Sequence, residues 1–552
     1  MNAAELFIRS LENEGLEYIF GIPGEENIHL MDVLLDSDKI EFILTRHEQG
    51  AAFMADVYGR LTGRPAVCMA TLGPGASNLT TGFADANMDN APIVAVAGQG
   101  ATTRMHKESH QILDLVSLFR PISKYSIGIR APEVIPEVIR KAFKVAKTEK
   151  PGGCFIDVPE NIAATTVEGV EPLPIRDPAI PIAQPALIDE AAEVIAKAKF
   201  PIVMAGNGVV RGGACAQLIK FIETLNIPAV NTFMAKGCVP FSHELSIGTV
   251  GLQARDYATC GFERADVIIC IGYDMVEYHP YLWHPNKDKH IIHIDPTPAE
   301  VDEHYNIEYR LLGDIATSLE QLAQAVLDKG GTNAGYSSSY TKTLKTMIEN
   351  DFWACANDTG CPIKPQKILW DVRQVLNNED ILISDVGAHK MWIARIYQAE
   401  APNTCIISNG FAAMGIGVPG AIAAKMVYPE RAVMTITGDA GFMMNSQELE
   451  TAMRLNIPIV VMIWKDDEYG LIRWHQEKHF GRASHIAFNN PDFVKYAESF
   501  GAKGFRVEDA SELQPIIKEA LNCGTVAVID CPVDYSVNMQ FTEKMGKLVC
   551  PI

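Results

Sequence analysis

Two apolar, β-branched runs joined by a helical stretch constrain the fold of this chain more than any other feature. The runs cover residues 432–437 and 457–464. Each is followed by acidic residues, Asp439 in a Gly-Asp-Ala-Gly turn and Asp466 in an Asp-Asp-Glu segment. A strand, a helix and a second strand of these lengths indicate a βαβ unit with parallel strands. Both acidic segments are therefore expected at one edge of a sheet, where α/β proteins bind their ligands.

The two acidic segments predict a site for a divalent cation and a diphosphate. Mg²⁺ is usually held by one or two carboxylates together with phosphate oxygens and water. Asp439 and Asp466, which are 466 − 439 = 27 positions apart, could provide those carboxylates, and a helix after the turn offers free N–H groups to a phosphate. Asn445 followed by Glu448 is close to a capping box and predicts a helix start there. The alternative is that the carboxylates only cap helices.

Strand and helix patterns alternate along the whole chain, which at 552 residues is too long for one core. This alternation predicts three doubly wound α/β domains with mostly parallel sheets. The expected domains are residues 1–170, 186–328 and 364–535, followed by a tail at 536–552. The predicted strands are residues 17–20, 41–45, 66–71, 92–97, 201–205, 227–231, 267–272, 290–295, 381–384, 404–408, 432–437, 458–464 and 527–530. Residues 168–185 and 329–345 lack periodicity and are predicted to be linkers.

Composition excludes several classes of partner. The formal charge of −21 argues against nucleic acids and anionic membranes, which need a basic surface. No run approaches the ~20 apolar residues of a membrane span, and the N-terminus enters an amphipathic helix without a signal-peptide layout. The twelve cysteines include no Cys-x-x-Cys pair. We therefore expect buried, reduced thiols in a cytoplasmic protein.

Polar residues also follow predicted strands in the first domain. Glu48 lies in an Arg-His-Glu-Gln segment where a strand becomes a helix, and a Gly-Pro-Gly turn at residues 73–75 follows the next strand. His110 and Gln111 belong to a longer polar loop. Polar residues on such loops often contact ligands. The alternative for Glu48 is that it only stabilises the helix N-terminus. The glycine-rich segment at 206–213 is better explained as a tight strand-to-helix turn than as a dinucleotide loop.

Together these motifs resemble the thiamine-diphosphate-dependent enzymes, which carry Gly-Asp-Gly followed at a similar distance by Asn-Asn or a variant of it. The resemblance runs nearly end to end and is greatest to the acetolactate synthase branch, in its catabolic, FAD-independent form. The motifs that carry it are Arg46–Gln49, Gly73–Gly75, His110–Gln111, Ile271–Asp274, Glu277–Tyr278, Asp385–His389, Ser408–Gly410 and Tyr496–Ala502. The resemblance implies a thiamine-diphosphate-binding fold that occurs twice, flanking a central α/β domain.

The resemblance also implies roles for individual residues. Glu48 would hydrogen-bond the cofactor's aminopyrimidine, and Gln111, with His110 beside it, would face the acceptor substrate. The side chains of Asp439 and Asp466 and the carbonyl of Glu468 would bind Mg²⁺. The other implied cofactor contacts are Pro74, Asn78, Ala388, His389, Ala412, Met414, Gly438, Ala440, Gly441 and Tyr469. Met414 would support a bent cofactor, although an unbranched apolar residue can also simply fill a core.

The implied reaction decarboxylates pyruvate and joins the product to a second pyruvate, giving 2-acetolactate and CO₂. The alternatives are a 2-oxoacid decarboxylase, a carboligase with another acceptor, a pyruvate oxidase that needs FAD, and an inert cofactor-binding protein. Such decarboxylases usually carry a His-His pair, which this sequence lacks. The resemblance implies a homodimer or homotetramer with sites between the first domain of one chain and the third of its partner. Neither FAD nor a regulatory subunit is expected, because Val250–Gln253 and Gly272–Met275 replace the anabolic segments.

Several positions leave the substrate open. Glu25 and Glu26 depart from the Gly-Ala-Lys of the catabolic enzymes and would repel an anionic acceptor if they faced the site. Leu72 replaces a usual Ser. His475 aligns with a Trp that favours 2-oxobutyrate in the anabolic enzymes. Pyruvate, 2-oxobutyrate and small aldehydes therefore all stay candidates for the acceptor, and a biosynthetic and a fermentative role are both open.

Overall fold

The computed structural model describes residues 1–176, 179–251, 257–331, 338–539 and residue 550. Within these residues the chain forms three six-stranded sheets, and neighbouring strands in each sheet run parallel. Helices connect the strands and cover the sheets. The predicted α/β fold with three parallel sheets is confirmed.

The first sheet has the strand order β2-β1-β3-β4-β6-β5. Its strands are β1 (Tyr18–Gly21), β2 (Glu41–Leu44), β3 (Ala66–Ala70), β4 (Ile93–Gln99), β5 (Tyr125–Gly128) and β6 (Gly153–Pro159). The helices are α1 (Ala3–Asn13), α2 (Ile28–Leu34), α3 (Glu48–Thr62), α4 (Pro74–Met88), α5 (Leu115–Phe119), α6 (Ile135–Lys147) and α7 (Glu160–Ala163). Strands β3, β4 and β6 are buried along their whole length, as in a sheet with both faces covered.

The central sheet has the order β12-β11-β10-β7-β8-β9. Its strands are β7 (Pro201–Ala205), β8 (Ala229–Asn231), β9 (Ser246–Thr249), β10 (Val267–Ile271), β11 (His290–Asp295) and β12 (Tyr309–Leu312). The helices are α8 (Pro185–Lys197), α9 (Asn207–Arg211), α10 (Cys215–Leu225), α11 (Tyr257–Arg264), α12 (Ile315–Asp328) and α13 (Ser338–Trp353). An added Cβ on Gly206 would lie 2.4 Å from the carbonyl oxygen of Gly272, so the predicted tight turn into α9 is confirmed.

The third sheet has the order β14-β13-β15-β16-β18-β17. Its strands are β13 (Ile381–Ser384), β14 (Cys405–Ile407), β15 (Val433–Gly438), β16 (Val460–Lys465), β17 (Lys503–Arg506) and β18 (Ala527–Pro532). The helices are α14 (Pro365–Val375), α15 (Ala388–Ile396), α16 (Gly417–Val427), α17 (Asp439–Asn445), α18 (Glu448–Arg454), α19 (Gly470–Phe480), α20 (Phe493–Ser499) and α21 (Leu513–Asn522). Counted from the first strand of each sheet, this order equals that of the first sheet. One fold therefore occurs twice around a different central domain.

The first and third sheets share one hydrophobic core within the chain. Helix α3 packs against α16, and an added Cβ on Gly420 of α16 would lie 3.1 Å from Cγ2 of Val57 in α3. Buried side chains from both regions, including Phe83 and Phe442, belong to this core. The two regions are thus held together by packing as well as by the polar contacts described below.

The predicted capping box at Asn445 and Glu448 is wrong. Helix α17 begins at Asp439, directly after β15, and Asn445 is its last residue. Its side chain donates to the carbonyl of Gly415 at 2.8 Å. The Glu448 carboxylate accepts the backbone N–H of Arg46 at 3.0 Å in the first region. Both side chains make tertiary contacts, which a local sequence pattern does not contain.

Other expectations differ in part. Helix α13 begins at Ser338, so the linker predicted at 329–345 is wrong from that residue onward, and 332–337 lie outside the described residues. The described part of 168–184 contains no helix or strand, as expected for the first linker. Most of the predicted tail at 536–552, together with Leu252 and Gln253, lies outside the described residues. The domain boundaries themselves stay a prediction.

The expectation of buried thiols is wrong for several cysteines, since Cys361 is exposed and Cys215, Cys355 and Cys523 are only partly buried. Cys260 and Cys550 form a disulfide, so the expectation of reduced thiols is wrong for this pair, which is 290 residues apart in the sequence. Cys68, Cys270 and Cys405 are buried and free, as expected. Separately, no helix within the described ranges is long and apolar enough to cross a bilayer.

Candidate active site

The Asp439 and Asp466 segments lie together at the carboxyl edge of the third sheet. Gly438 of β15 pairs with Trp464 of β16, so the two segments leave neighbouring strands. The Asp439 Oδ2 atom accepts the backbone N–H of Asp467 at 2.8 Å and that of Asp466 at 3.3 Å. The parallel register therefore produces the adjacency that the βαβ pattern predicted.

This pair of acidic segments has the electrostatics of a cation site. Burial, together with the charges of Asp439 and Glu468, raises the pKa of Asp466 to about 8. Burial also raises the pKa of Asp439, and Asp466 Oδ2 is buried without a hydrogen-bond partner among the described residues. Two carboxylates that oppose each other's ionisation suit a divalent cation, which stabilises both anions.

The Glu468 carboxylate is engaged in an ion pair, and its carbonyl carries one hydrogen bond. Its side chain pairs with Arg473 at 2.7 Å, and its carbonyl accepts the N–H of Gly470 at 3.0 Å. In the described part of the chain no three acidic, His or Cys side chains converge on one point. A cation here would therefore rely on two carboxylates, a carbonyl and oxygens of its ligand, which is typical of Mg²⁺ bound with a phosphate group.

Next to the carboxylates is a wall with little side-chain bulk. An added Cβ on Gly438 would lie 3.4 Å from Cε1 of His389, and one on Gly441 would lie 3.2 Å from Oγ1 of Thr437. His389 follows Ala388 at the start of α15, and its buried Nε2 atom has no partner among the described residues. Burial lowers the pKa of His389 to about 3, so the imidazole is neutral. The unpartnered nitrogen and the missing Cβ atoms fit a bound diphosphate.

The loop before α16 carries Ala412 and Met414. Ala412 has a positive φ of 57°, and Met414 is half-buried. Asp385, at the end of β13, accepts the N–H of Gly415 at 2.9 Å, which fixes the residue after Met414. Tyr469, just before α19, is 40% exposed and is the least enclosed of the predicted cofactor contacts on this side.

Glu48, Pro74 and Asn78 come together at the carboxyl edge of the first sheet. Glu48 is the first residue of α3, and Pro74 is the first of α4. Asn78 Nδ2 donates to Glu48 Oε2 at 3.0 Å. An added Cβ on Gly75 would lie 3.3 Å from Glu48 Oε1, so the glycine leaves space beside this second carboxylate oxygen.

The predicted substrate residues are placed less uniformly. Gln111 has a positive φ of 58°, and its carbonyl oxygen would lie 2.7 Å from an added Cβ on Gly73, so it covers the Gly-Pro-Gly turn. His110 and His475 are exposed. Glu25 is also exposed, whereas Glu26 is buried and accepts the Thr71 hydroxyl at 2.9 Å. The Glu26 carboxylate therefore lies beside the Gly-Pro-Gly turn that Gln111 covers.

Models of protein families match this chain in three places. They are the thiamine pyrophosphate (TPP) enzyme N-terminal TPP binding domain at residues 1–118, the central domain at 188–322, and the C-terminal TPP binding domain at 385–531. The chain belongs to the thiamine pyrophosphate enzyme family. Its cofactor is therefore thiamine diphosphate, another name for thiamine pyrophosphate, and Mg²⁺ is the usual companion of these domains.

Curated relatives cover almost the full length of this thiamine pyrophosphate enzyme. An acetolactate synthase from Bacillus subtilis is 36% identical over 99% of this chain and 95% of its own length. A catabolic acetolactate synthase from Raoultella terrigena is 34% identical over 97% of this chain and 96% of its own. A probable acetolactate synthase large subunit from Methanococcus aeolicus is 36% identical over 99% and 94%.

Three acidic or amide side chains near the site of this thiamine pyrophosphate enzyme were given no place in the site by the sequence, and one of them, Glu448, was predicted only as part of a helix cap. Asn490 Nδ2 donates to Asp439 Oδ2 at 2.7 Å. Glu448 holds the backbone just before Glu48, accepting the N–H of His47 at 3.0 Å. Asp385 belongs to the Asp385–His389 motif and directly follows a buried strand, and this position could have identified it from the sequence. Asn490 and Glu448 had none, because their partners lie 51 and 401 residues away.

Proposed function

We propose that this chain is an acetolactate synthase of the catabolic, FAD-independent type, a transferase that acts as a carboligase. It decarboxylates one pyruvate and joins the remaining two carbons to a second, giving 2-acetolactate and CO₂. The observation that carries this proposal is the 36% identity to an acetolactate synthase over 99% of the chain. The match covers almost the whole chain and so spans the residues of both proposed half-sites.

In the proposed site, the anchoring half binds the diphosphate and Mg²⁺. The carboxylates of Asp439 and Asp466 and the Glu468 carbonyl hold the cation. His389, Ala388, Gly438, Ala440 and Gly441 form the wall against the diphosphate, and Tyr469 lies at its edge. The neutral His389 imidazole adds no charge to the site, and its Nε2 atom would donate to a diphosphate oxygen in the tautomer that carries the proton there. Ala412 and Met414, on the loop before α16, would contact the cofactor.

The reactive half is centred on Glu48. When bound, thiamine diphosphate supplies the electron sink that allows CO₂ to leave pyruvate. Glu48 would hydrogen-bond the aminopyrimidine of the cofactor, and because Asn78 Nδ2 donates to Oε2, Oε1 is left for that bond. Gln111 orients the acceptor above the Pro74 turn, with His110 next to it. Each of these residue roles is a proposal that rests on position and geometry.

The proposed assembly is a homodimer or homotetramer with each site between two subunits. Within the described residues no hydrogen bond or ion pair links the Glu48 group to the Asp439 group. Mixing two inactive variants, Glu48→Gln and Asp439→Asn, tests this arrangement. If random mixed dimers form, half the molecules contain one intact site out of two, and about a quarter of the activity returns. A site built within one chain would regain nothing.

Product analysis tests the activity itself. The purified protein is incubated with pyruvate, Mg²⁺ and thiamine diphosphate, with Glu48→Gln as the matched control. We expect CO₂, and acetoin after acidification. Acetaldehyde in place of acetoin would identify a 2-oxoacid decarboxylase, and no CO₂ at all would identify an inert cofactor-binding protein. A competition between pyruvate, 2-oxobutyrate and small aldehydes then assigns the acceptor, which Glu26 is placed to influence.

Further parts of the proposal concern what accompanies the enzyme. We propose that it works without FAD and without a regulatory subunit, in the cytoplasm. An absorption spectrum of the purified protein tests the first point, because bound flavin absorbs visible light. Measuring the mass of the purified assembly, and its activity in the absence of any other chain, tests the second.

A further inference from the structure

A loop of the third region is held by two carboxylates of the first region. The loop, residues 408–413, joins β14 to the segment that carries Met414. Asp85 lies in the last turn of α4 and Asp89 directly follows that helix. Four donors of the loop point at them: the Ser408 hydroxyl and the backbone N–H groups of Asn409, Gly410 and Ala413. Asp85 accepts the first at 2.6 Å and the last at 3.2 Å, and Asp89 accepts the Asn409 N–H at 2.9 Å.

These carboxylates are inaccessible to solvent and share one guanidinium. The side chains of Asp85 and Asp89 are both 0% exposed, and that of Arg60 is 7% exposed. Arg60 Nη2 lies 3.0 Å from Asp85 and 2.7 Å from Asp89, and Nη1 donates to the carbonyl of Ile407 at 3.1 Å. Buried carboxylates that accept several N–H groups are costly to disturb, because a lost partner leaves a buried polar atom unsatisfied.

The fit between the loop and α4 leaves no slack. An added Cβ on Gly410 would lie 2.8 Å from Asp89 Oδ1 and 2.8 Å from the carbonyl oxygen of Met88. On the far side of Met414, Asp385 accepts the Gly415 N–H and Asn445 donates to the Gly415 carbonyl at 2.8 Å. The backbone is therefore held by hydrogen bonds on both sides of Met414, from Asp85 and Asp89 of the first region and from Asp385 and Asn445 of the third.

We propose that Asp85 and Asp89 are positioning residues, which set the place of Ala412 and Met414 in the cofactor site from the other region of the same chain. This inference rests on the proposed cofactor roles of Ala412 and Met414. Helix α4 also carries Asn78 near its beginning, next to Glu48. One helix thus orients the reactive carboxylate with its first turns and the cofactor-supporting loop with its end.

The test compares Asp89→Asn with a matched control, Asp56→Asn. Asp56 is also 0% exposed, binds Arg60 at 2.8 Å and interacts with Asp85, but within the described residues it accepts no hydrogen bond from the loop. The first readout is amide hydrogen exchange across residues 408–414, measured without cofactor. We expect about tenfold faster exchange in Asp89→Asn, because the amide keeps one acceptor oxygen for two N–H groups. In Asp56→Asn we expect the wild-type rate.

A second readout uses the loaded protein but not its activity. Bound thiamine diphosphate exchanges its C2 hydrogen for deuterium, and this rate is read by NMR after acid quenching. We expect about tenfold slower exchange in Asp89→Asn, with cofactor affinity within about threefold of wild type, because Asp439, Asp466 and His389 are untouched. Asp56→Asn should match wild type in both measurements.

Each outcome decides the inference. Unchanged amide exchange in Asp89→Asn, or an equal change in Asp56→Asn, overturns it. If the wild-type protein bound no thiamine diphosphate, the proposed function would fail, while the amide exchange of the loop would still test the positioning. Should Asp89→Asn not fold, Ser408→Ala removes one donor to Asp85 and should give a smaller change of the same sign, whereas wild-type rates in that variant would overturn the inference.

Discussion

Replacing Asp466 with asparagine tests the proposed metal site, because the Asp466 carboxyl of the metal-free protein carries a proton that metal binding should release. The pKa of Asp466, about 8 in the folded protein, means that this carboxyl carries about 0.9 protons at pH 7. Mg²⁺ binds the ionised carboxylate. Joint binding of Mg²⁺ and thiamine diphosphate should therefore release that proton.

The sign of the pH dependence follows from the same values. The ordinary pKa of this group is 3.8, so between about pH 4 and pH 8 the folded, metal-free protein keeps a proton that the unfolded chain has lost. Stability of the metal-free protein falls as the pH rises through this window, and bound Mg²⁺ opposes the loss. Asp466→Asn has no proton to release, and this contribution to the pH dependence should disappear.

The assay is isothermal titration calorimetry of cofactor and Mg²⁺ binding in two buffers with different protonation enthalpies. Wild-type protein should release about 0.9 more protons than Asp466→Asn at pH 7, and about 0.1 more at pH 9. Protons from the cofactor itself cancel in this difference. The neighbouring variant Asp467→Asn is the control, because Asp467 is exposed and pairs with Lys465 at 3.1 Å. Its charge is the smallest of the named contributions to the raised pKa of Asp466, so this variant should release nearly as many protons as wild type.

Two results would refute this reasoning. Equal proton release by wild type and Asp466→Asn at pH 7 would show that Asp466 does not hold the proton. Asparagine also provides an oxygen ligand, so cofactor affinity should stay within about tenfold of wild type, or ~1.4 kcal/mol. A larger loss would contradict the proposal that the two side chains are equivalent ligands.

Three further predictions concern residues around the two half-sites. Glu448→Gln keeps one acceptor oxygen and loses the other, so the backbone before Glu48 should be held less firmly. We expect kcat to fall about tenfold with an unchanged KM for pyruvate, and a change in KM alone would contradict this. Burial lowers the pKa of His389 to about 3, so this imidazole stays neutral from pH 5.5 to 8. The cofactor affinity of wild type divided by that of His389→Gln should therefore be constant over this range. A step in this ratio near pH 6.5 would show a titrating imidazole. Gly50→Ala would place a Cβ 2.6 Å from Glu448 Oε1, so thermal unfolding should show a loss of about 1–3 kcal/mol, whereas an unchanged melting temperature would mean that the contact relaxes freely.

Most interior strands were predictable from their apolar runs, and so were the edge strands β2 and β14. Four of the strands that the sequence pattern did not predict, β5, β9, β12 and β17, are edge strands. An edge strand is hydrogen-bonded on one side and is often short or polar, so it lacks the continuous apolar run of a strand buried between two helix layers. The exception is β6, an interior strand whose apolar pattern is interrupted by Asp157.

The candidate site divides in the same way. Sequence alone was enough to expect Asp439 beside Asp466, because the acidic segments follow two consecutive strands of a predicted βαβ unit. The parallel register of β15 and β16 agrees with this expectation. Glu48 at the start of a helix was similarly local. By contrast, the contacts of Asn445 and Glu448 were assigned wrongly, since a capping pattern describes only neighbours along the chain.

What the sequence determined by itself is therefore the class of fold, the cofactor family and those site residues whose place follows from local periodicity. The contacts that hold the two halves of the site could be seen only in the tertiary structure. Glu448 accepts a backbone N–H just before Glu48. Asp85 and Asp89 accept hydrogen bonds from the loop before Met414, about 320 residues away in the chain. The physical reason is that a backbone N–H is the same at every residue. No pattern of side chains marks which distant amide a buried carboxylate will accept, and only the packing of α3 against α16, together with that of α4 against α3, brings them within hydrogen-bond distance.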